Sequence, residues 1–223
     1  IKQGECLGVV GESGSGKSTL ANIIMNLEKA DSGTVLLNNK DITNIKSNKL
    51  KEIYKDIQMV FQDAIGSFNP RFTIEESIME YVCNLCSTTE ADKKHKVDNL
   101  LRMVGLSKEY KYRYPHELSG GQCQRAAIAR ALSAQPKILV CDEATSALDV
   151  SVQAQIVELL KEMQEKMNIS YLFITHDLAL VSSFCDRVAV MKNGKVVEVG
   201  DAKEVINNPM DEYTKLLIKS AYF

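Results

Sequence analysis

The sequence predicts an α/β fold: a mostly parallel sheet flanked by helices, with an all-helical subdomain inserted at residues 63–135. Three observations lead there. Strand-like and helical stretches alternate over 1–62 and again over 136–223, the pattern of a parallel sheet with helices on its faces. Residues 63–135 carry helical spacing and no strand-like run. A glycine-rich turn joins the first strand to the first helix, and a later apolar strand ends in a carboxylate, where ligands collect in open α/β sheets.

The elements follow in order. Cys6–Val10 is a short apolar strand. Ser18–Leu27 reads as a helix, with apolar residues at 20, 23, 24 and 27. Thr34–Leu37 is strand-like and runs into Asn38-Asn39, a hairpin turn. Ser47–Lys55 is helical and Ile57–Phe61 is β-rich, whereas Asp63–Arg71, with Gly66, Asn69 and Pro70, reads as a loop. Thr73 with Glu76 three positions on is a capping box opening the helical region. Lys93-Lys94-His95-Lys96 reads as a solvated helix face. Strand texture returns at Lys137–Cys141, followed by a helix at Val150–Met167, a strand at Ile169–Thr175 and a helix at Asp177–Phe184. Arg187–Met191 and Lys195–Val199 flank Asn193-Gly194, a hairpin signal. Glu204 to Ile218 reads as two short helices broken at Pro209.

Composition narrows the function classes. The 223 residues carry 27 Lys+Arg against 29 Asp+Glu, a formal net charge of −2, which weighs against sequence-blind nucleic-acid binding. No apolar run approaches the roughly 18 residues that span a bilayer, so the chain is not itself a channel. It starts at Ile1 without a secretory pattern, which reads as a trimmed N-terminus. Six cysteines in a chain of this length point to a reducing compartment, with Cys6 and Cys141 as small hydrophobes in strands. Cys83-Asn84-Leu85-Cys86 has metal-ligand spacing but no second Cys or His pair nearby, and is read as structural.

Gly11-Glu12-Ser13-Gly14-Ser15-Gly16-Lys17-Ser18 fits G-x-x-x-x-G-K-[ST] between a strand and a helix, which makes the fold a P-loop NTPase. Its glycines let consecutive N–H groups turn toward phosphate oxygens, and the helix that follows adds its positive end. Lys17 would reach the β- and γ-phosphates, with Ser18 on Mg²⁺ and Thr19 completing the site. Ile138–Asp142 supplies the metal-side carboxylate, Asp142, and Glu143 follows as general base for an attacking water. Leu118-Ser119-Gly120-Gly121-Gln122 opens a second helix with a good N-cap and unshielded amides, a second anion-binding start that suggests service to another chain's nucleotide.

These residues together resemble the nucleotide-binding domain of ABC transporters from Ile1 to about Ala202. Gly11–Ser18 matches the Walker A loop, Gln62 the Q-loop glutamine, Leu118–Gln122 the LSGGQ signature, Ile138–Asp142 Walker B, Ser146-Ala147-Leu148-Asp149 the D-loop, and His176 the switch histidine. The resemblance implies a RecA-like core at 1–62 and 136–223 and a helical signature subdomain at 63–135. It implies that Gln62 contacts Mg²⁺ and the attacking water, that His176 senses the γ-phosphate, and that Ser119, Gly120, Gly121 and Gln122 act in trans on the partner's ATP. His95 and His116 keep structural readings. Expected cofactors are ATP and Mg²⁺. Expected partners are a second ATPase chain, identical or different, two membrane-spanning permease subunits and, indirectly, an extracytoplasmic solute-binding protein, with no nucleic acid. The expected location is the cytoplasmic face of the cell membrane, as a peripheral subunit.

Phe61-Gln62-Asp63, Ser67-Phe68-Asn69-Pro70-Arg71, Tyr114-Pro115-His116-Glu117 and the tail Asp211–Leu217 resemble the oligopeptide, dipeptide and nickel importers, with metal-chelate import equally compatible. The family's adenine-stacking aromatic lies upstream of this chain's Walker A loop, so the N-terminal antiparallel strands are expected to be incomplete here. The group's cysteine-rich C-terminal extension does not appear before Phe223. The alternative is a soluble ABC ATPase acting on nucleic acid or the ribosome. It would carry a long coiled-coil insert or two sets of motifs, and the sequence has neither. A degenerate half of an asymmetric pair would have lost Glu143, His176 or a signature glycine, and all are present.

Overall fold

The computed structural model describes residues 1–45, 47–85 and 90–221. They fall into two compact units. The first is Ile1–Ile45, Val140–Glu143 and Lys161–Phe223; the second is Lys46–Leu139 and Ala144–Leu160.

In the first unit, β1 (Cys6–Val10) is sandwiched in the order β5-β6-β1-β7-β8, with β5 at Ile138–Asp142, β6 at Ser170–Ile174, β7 at Arg187–Lys192 and β8 at Lys195–Asp201. β1 pairs parallel with both β6 and β7, and β7 pairs antiparallel with β8 through the Asn193-Gly194 turn, whose residues take φ of 48° and 75°. The sheet is thus mixed but mostly parallel, as the β/α alternation predicts. β1 and β6 are apolar almost throughout because both faces are covered. Tyr171 and Phe173 of β6 meet Phe184, their ring centroids 5.4 and 5.2 Å away. Phe184 closes α7 (Leu178–Phe184), which Asp177 caps by accepting from the Ala179 and Leu180 amides. Cys6, Cys141 and Cys185 lie in the same core as free thiols, and burial pushes the Cys6 and Cys141 thiols far up, so they pack as hydrophobes.

The first helix, α1 (Lys17–Ile24), ends three residues short of the expected Leu27. The end is a Schellman cap: Asn26 takes φ 55°, its N–H donates to Ile23 O, and the Leu27 N–H reaches back to Asn22 O. Leu27 is therefore exposed. The strand expected at 34–37 shrinks to β2 (Leu36–Leu37), which turns through Asn38-Asn39 into β3 (Lys40–Asp41). The chain's last elements are α8 (Ala202–Asn207) and α9 (Glu212–Ala221), on either side of Pro209 as expected.

The second unit contains α2 (Ser47–Asp56), β4 (Ile57–Val60), α3 (Ile74–Leu85), α4 (Glu90–Met103), two 3-10 turns at Lys108–Tyr112 and Pro115–Glu117, α5 (Gly120–Leu132) and most of α6 (Val150–Met167). The Thr73 capping box forms: Thr73 N donates to Glu76 Oε2 at 2.7 Å and Glu76 N to Thr73 Oγ1 at 3.2 Å. Ile74, Ile78 and Val82 on α3, Val97 and Leu101 on α4, and Ile128 and Leu132 on α5 are almost wholly buried. Cys83 is an exposed free thiol, and Cys86 lies outside the described residues. His95 is exposed and Lys96 half-buried, whereas the side chains of Lys93 and Lys94 lie outside the described residues.

Phe173 is fully buried, so Phe173→Ala should destabilise the chain by ~3–5 kcal/mol through a cavity beneath β1. Denaturant unfolding measures it, and a cost under about 1 kcal/mol would contradict the packing described.

Candidate functional site

The first unit gathers the phosphate loop, Asp142, Glu143 and His176. The loop runs from the end of β1 into α1. Gly11 takes φ 155°, and a Cβ there would sit 2.2 Å from Met191 O, so only glycine lets the loop start under β7. Gly16, at φ 100°, is the N-cap of α1 and offers no side-chain cap. The helix therefore opens with its amides uncapped. Among the described residues the N–H groups of Gly14, Gly16, Lys17 and Ser18 have no acceptor outside regular helix bonding. Ser15 Oγ is buried without a partner. An uncapped helix start, a buried orphan hydroxyl and a glycine cradle fit a phosphate chain.

Lys17 is only 5% exposed, and its Nζ donates to Gly11 O and Glu12 O, both at 2.9 Å. The loop is pinned from β7–β8 as well, since Gly194 N donates to Ser15 O at 2.9 Å. Ser18 and Thr19 are exposed, and Ser18 Oγ donates to Asp142 Oδ1 at 3.1 Å. Burial raises the Asp142 carboxyl above its ordinary value, and the neighbouring Glu143 charge adds to this. The Ser18 hydrogen bond and the Lys17 charge oppose it. Among the described residues no three His, Cys, Asp or Glu side chains converge. The Ser18 hydroxyl beside the Asp142 carboxylate is an oxygen donor pair of the kind that would hold Mg²⁺ together with substrate phosphates.

Glu143 directly follows the strand end, and its backbone adopts φ 48°, the left-handed region, with its N–H held by Ile174 O at 2.9 Å. For a glutamate this is a strained conformation of the kind that clusters at functional sites. The sequence suggested only that neighbours at a strand end diverge; the reversal of φ is a stronger device and has no sequence signal. His176 stands between the end of β6 and the cap of α7, 62% exposed, with Nδ1 3.8 Å from Glu143 Oε1.

The second unit gathers the other predicted residues. Gln62 is exposed and donates through Nε2 to Ser146 Oγ at 3.3 Å, joining the glutamine to the start of Ser146–Asp149. Asp149 is exposed. Ser119 caps α5 in a capping box with Gln122: Gln122 N donates to Ser119 Oγ at 3.3 Å, and Ser119 N donates to Gln122 Oε1 at 3.0 Å. Gln122 also donates to Tyr110 OH at 2.9 Å, so its side chain is engaged within the chain. The exposed part of the signature is Ser119 and Gly120. Gly121 has a packing reason: its Cβ would lie 2.7 Å from Val152 Cγ1 on α6.

Sequence reasoning missed three residues that organise these groups. Arg130 on α5 is buried, donates to Ser67 O and Ser67 Oγ, and lies 4.2 Å from the Phe68 ring centroid, fastening the loop after Gln62 to α5. Gly194 holds Ser15, as above. Tyr213 OH accepts from Glu12 N at 3.1 Å. Their only sequence signals were an arginine on an otherwise apolar helix face, a hairpin glycine and a lone tyrosine in the tail.

The chain is similar to known proteins in both sequence and structure. The family model described as ABC transporter matches residues 1–146. The oligopeptide transport ATP-binding protein OppF of Salmonella typhimurium is 49% identical over 221 residues, 99% of this chain and 66% of its own length. The dipeptide transport ATP-binding protein DppF of Lactococcus lactis subsp. cremoris is 46% identical over 223 residues, covering 99% and 72%. The chain thus spans about two thirds of the length of these relatives. Among solved structures, cbiO1 from Clostridium perfringens, part of the ABC transporter complex cbiONQ, superimposes with a TM-score of 0.83 at 35% identity, covering 93% of this chain and 81% of that one. The dimeric cassette MJ0796 bound to ADP and Pi gives 0.81 at 33% identity, covering 91% and 87%.

Asp142 yields a prediction with a definite sign. Its folded pKa lies above the unfolded one, so the folded chain binds the proton more tightly. Stability therefore falls as pH rises from the unfolded carboxyl's value through the raised folded value. Asp142→Asn should raise the thermal midpoint at pH 7 and flatten the pH profile in that window. A lowered midpoint would contradict the burial of this carboxylate.

Proposed function

The chain belongs to the ABC transporter family, and on that premise we propose that it is the ATP-hydrolysing subunit of an oligopeptide or dipeptide importer. One observation supports the chemistry: the buried Lys17, the uncapped start of α1 and the Ser18–Asp142 pair lie together in an arrangement that suits a polyphosphate with its metal. Peptide is favoured over nickel or a metal chelate as the solute because OppF and DppF are named for oligopeptide and dipeptide transport.

Lys17 and the loop amides bind and orient the β- and γ-phosphates. Ser18 and Asp142 would hold Mg²⁺, which would supply neutralisation of phosphate charge, and Gln62 keeps the metal- and water-contacting role that the family resemblance implies. Glu143 accepts the proton of the attacking water. His176, whose Nδ1 lies 3.8 Å from Glu143 Oε1, senses the γ-phosphate. Ser119, Gly120, Gly121 and Gln122 face the ATP of a second ATPase chain, offering the amides at the start of the 13-residue α5. Asp149 sits where two such chains meet. ATP closes the pair and hydrolysis releases it. Residues 63–135 serve as the signature subdomain and carry the motion to two membrane-spanning permease subunits at the cytoplasmic face, which receive solute from an extracytoplasmic binding protein. No helix among the described residues is long and apolar enough to cross a membrane.

The Glu143→Gln chain should keep ATP affinity and lose turnover by roughly 10²–10⁴-fold, the range for a removed general base. Light scattering of that variant should show a monomer without ATP and a dimer with it. Normal steady-state hydrolysis would remove Glu143 from its role. Ser119→Arg should leave ATP binding by the isolated chain intact and block hydrolysis, because the side chain intrudes on the partner's nucleotide. Full activity would argue against a signature acting in trans.

A further inference from the structure

We propose that Tyr213, on α9, is a positioning residue of the phosphate loop: its hydroxyl fixes the Glu12 peptide and thereby seats Lys17 for nucleotide. This rests on the reading of Gly11–Ser18 as the nucleotide site. Tyr213 is 6% exposed, and its OH accepts from Glu12 N at 3.1 Å across about two hundred residues of sequence. Glu12 O, on the other side of the same residue, accepts from Lys17 Nζ at 2.9 Å and from Ser15 N at 3.2 Å. Glu12 is thus the junction between α9 and the loop's cation.

The junction needs an outside restraint. Gly11, at φ 155°, has no Cβ to limit its backbone, and the Gly11–Glu12 peptide carries Lys17's other partner, Gly11 O, so within the loop that peptide is held by Lys17 itself. The Tyr213 hydroxyl supplies the outside restraint, and the tyrosine is itself held firmly. Asp211 Oδ1 accepts from Tyr213 N at 2.8 Å. Glu198 on β8 accepts from the Met210 and Asp211 amides at 2.9 and 3.1 Å, fixing the start of α9. Lys192 Nζ lies 4.6 Å from the Tyr213 ring centroid. Were the Glu12 peptide free to turn, Lys17 would lose one of its two carbonyl partners and sample poses away from the phosphates.

The test is Tyr213→Phe, which keeps the ring and its packing and removes only the hydroxyl. ATP is titrated into the unaltered and variant chains in the presence of Mg²⁺, and KM and kcat are measured alongside the thermal midpoint. Loss of one neutral hydrogen bond should weaken ATP and ADP affinity by roughly two- to tenfold, raising KM with kcat held and the thermal midpoint unchanged. Unchanged affinity overturns the inference. So does a loss of affinity that comes only with a fall in both kcat and the thermal midpoint, since a general packing role would do that. If the unaltered chain itself fails to bind ATP, the nucleotide reading falls along with this one. Binding by the unaltered chain with equal binding by the variant defeats this inference alone. Should the variant not fold, amide hydrogen exchange on the unaltered chain decides: a protected Glu12 N–H supports the bond, and exchange at the rate of an exposed loop amide refutes it.

Discussion

A buried ammonium group with carbonyl partners sits at the centre of this structure. Lys17 is almost inaccessible, and its hydrogen bonds go to the carbonyls of Gly11 and Glu12 within its own loop. Burying a cation among neutral groups costs free energy unless its hydrogen bonds are well made. The neighbouring groups hold those carbonyls in place. Gly11 lets the chain enter beneath Met191, Gly194 ties down Ser15, and Tyr213 ties down Glu12. The strand order serves the same end, since β1 lies between β6 and β7, and the loop emerges beside the ends that carry His176 and the β7–β8 hairpin.

The same site collects features that a fold built only for stability would avoid. The Asp142 carboxyl is half-buried beside Glu143, Glu143 adopts a left-handed backbone, Ser15 Oγ is buried without a partner, and α1 starts uncapped. Each lowers stability by an amount of order 1–3 kcal/mol or less. The apolar layer on one face of the sheet, from Val10 through Tyr171 and Phe173 to Val188 and Val190, offsets them. In the function proposed, each would also serve a phosphate chain, a metal or a water. Such conflicts between stability and geometry are expected where a site does chemistry.

Much of this was legible in the sequence, for a physical reason. A phosphate loop, a capped signature helix and a carboxylate closing an apolar strand are each made by contiguous residues, so spacing alone reports them. The hairpin at Asn193-Gly194 and the capping box at Thr73 are local in the same sense. What was not legible depends on residues far apart. No pattern within α9 says that Tyr213 meets Glu12, and none within α5 says that Arg130 grips Ser67 and Phe68 or that Gly121 makes room for Val152. The early end of α1 is intermediate: Asn26 was visible, but the apolar Leu27 extended the helical periodicity past a cap that tertiary contacts select. Asn26 Oδ1 accepts from Ile45 N, and its Nδ2 donates to Ile42 O.

The claim that Lys17 and its loop form a polyphosphate seat can be tested directly by titrating ATP into the Lys17→Ala chain beside the unaltered one. Charge-assisted hydrogen bonds to phosphate are worth enough that the account predicts a loss of affinity of about tenfold or more, with the fold intact by circular dichroism. Superimposable titration curves would contradict it and leave the loop a structural turn.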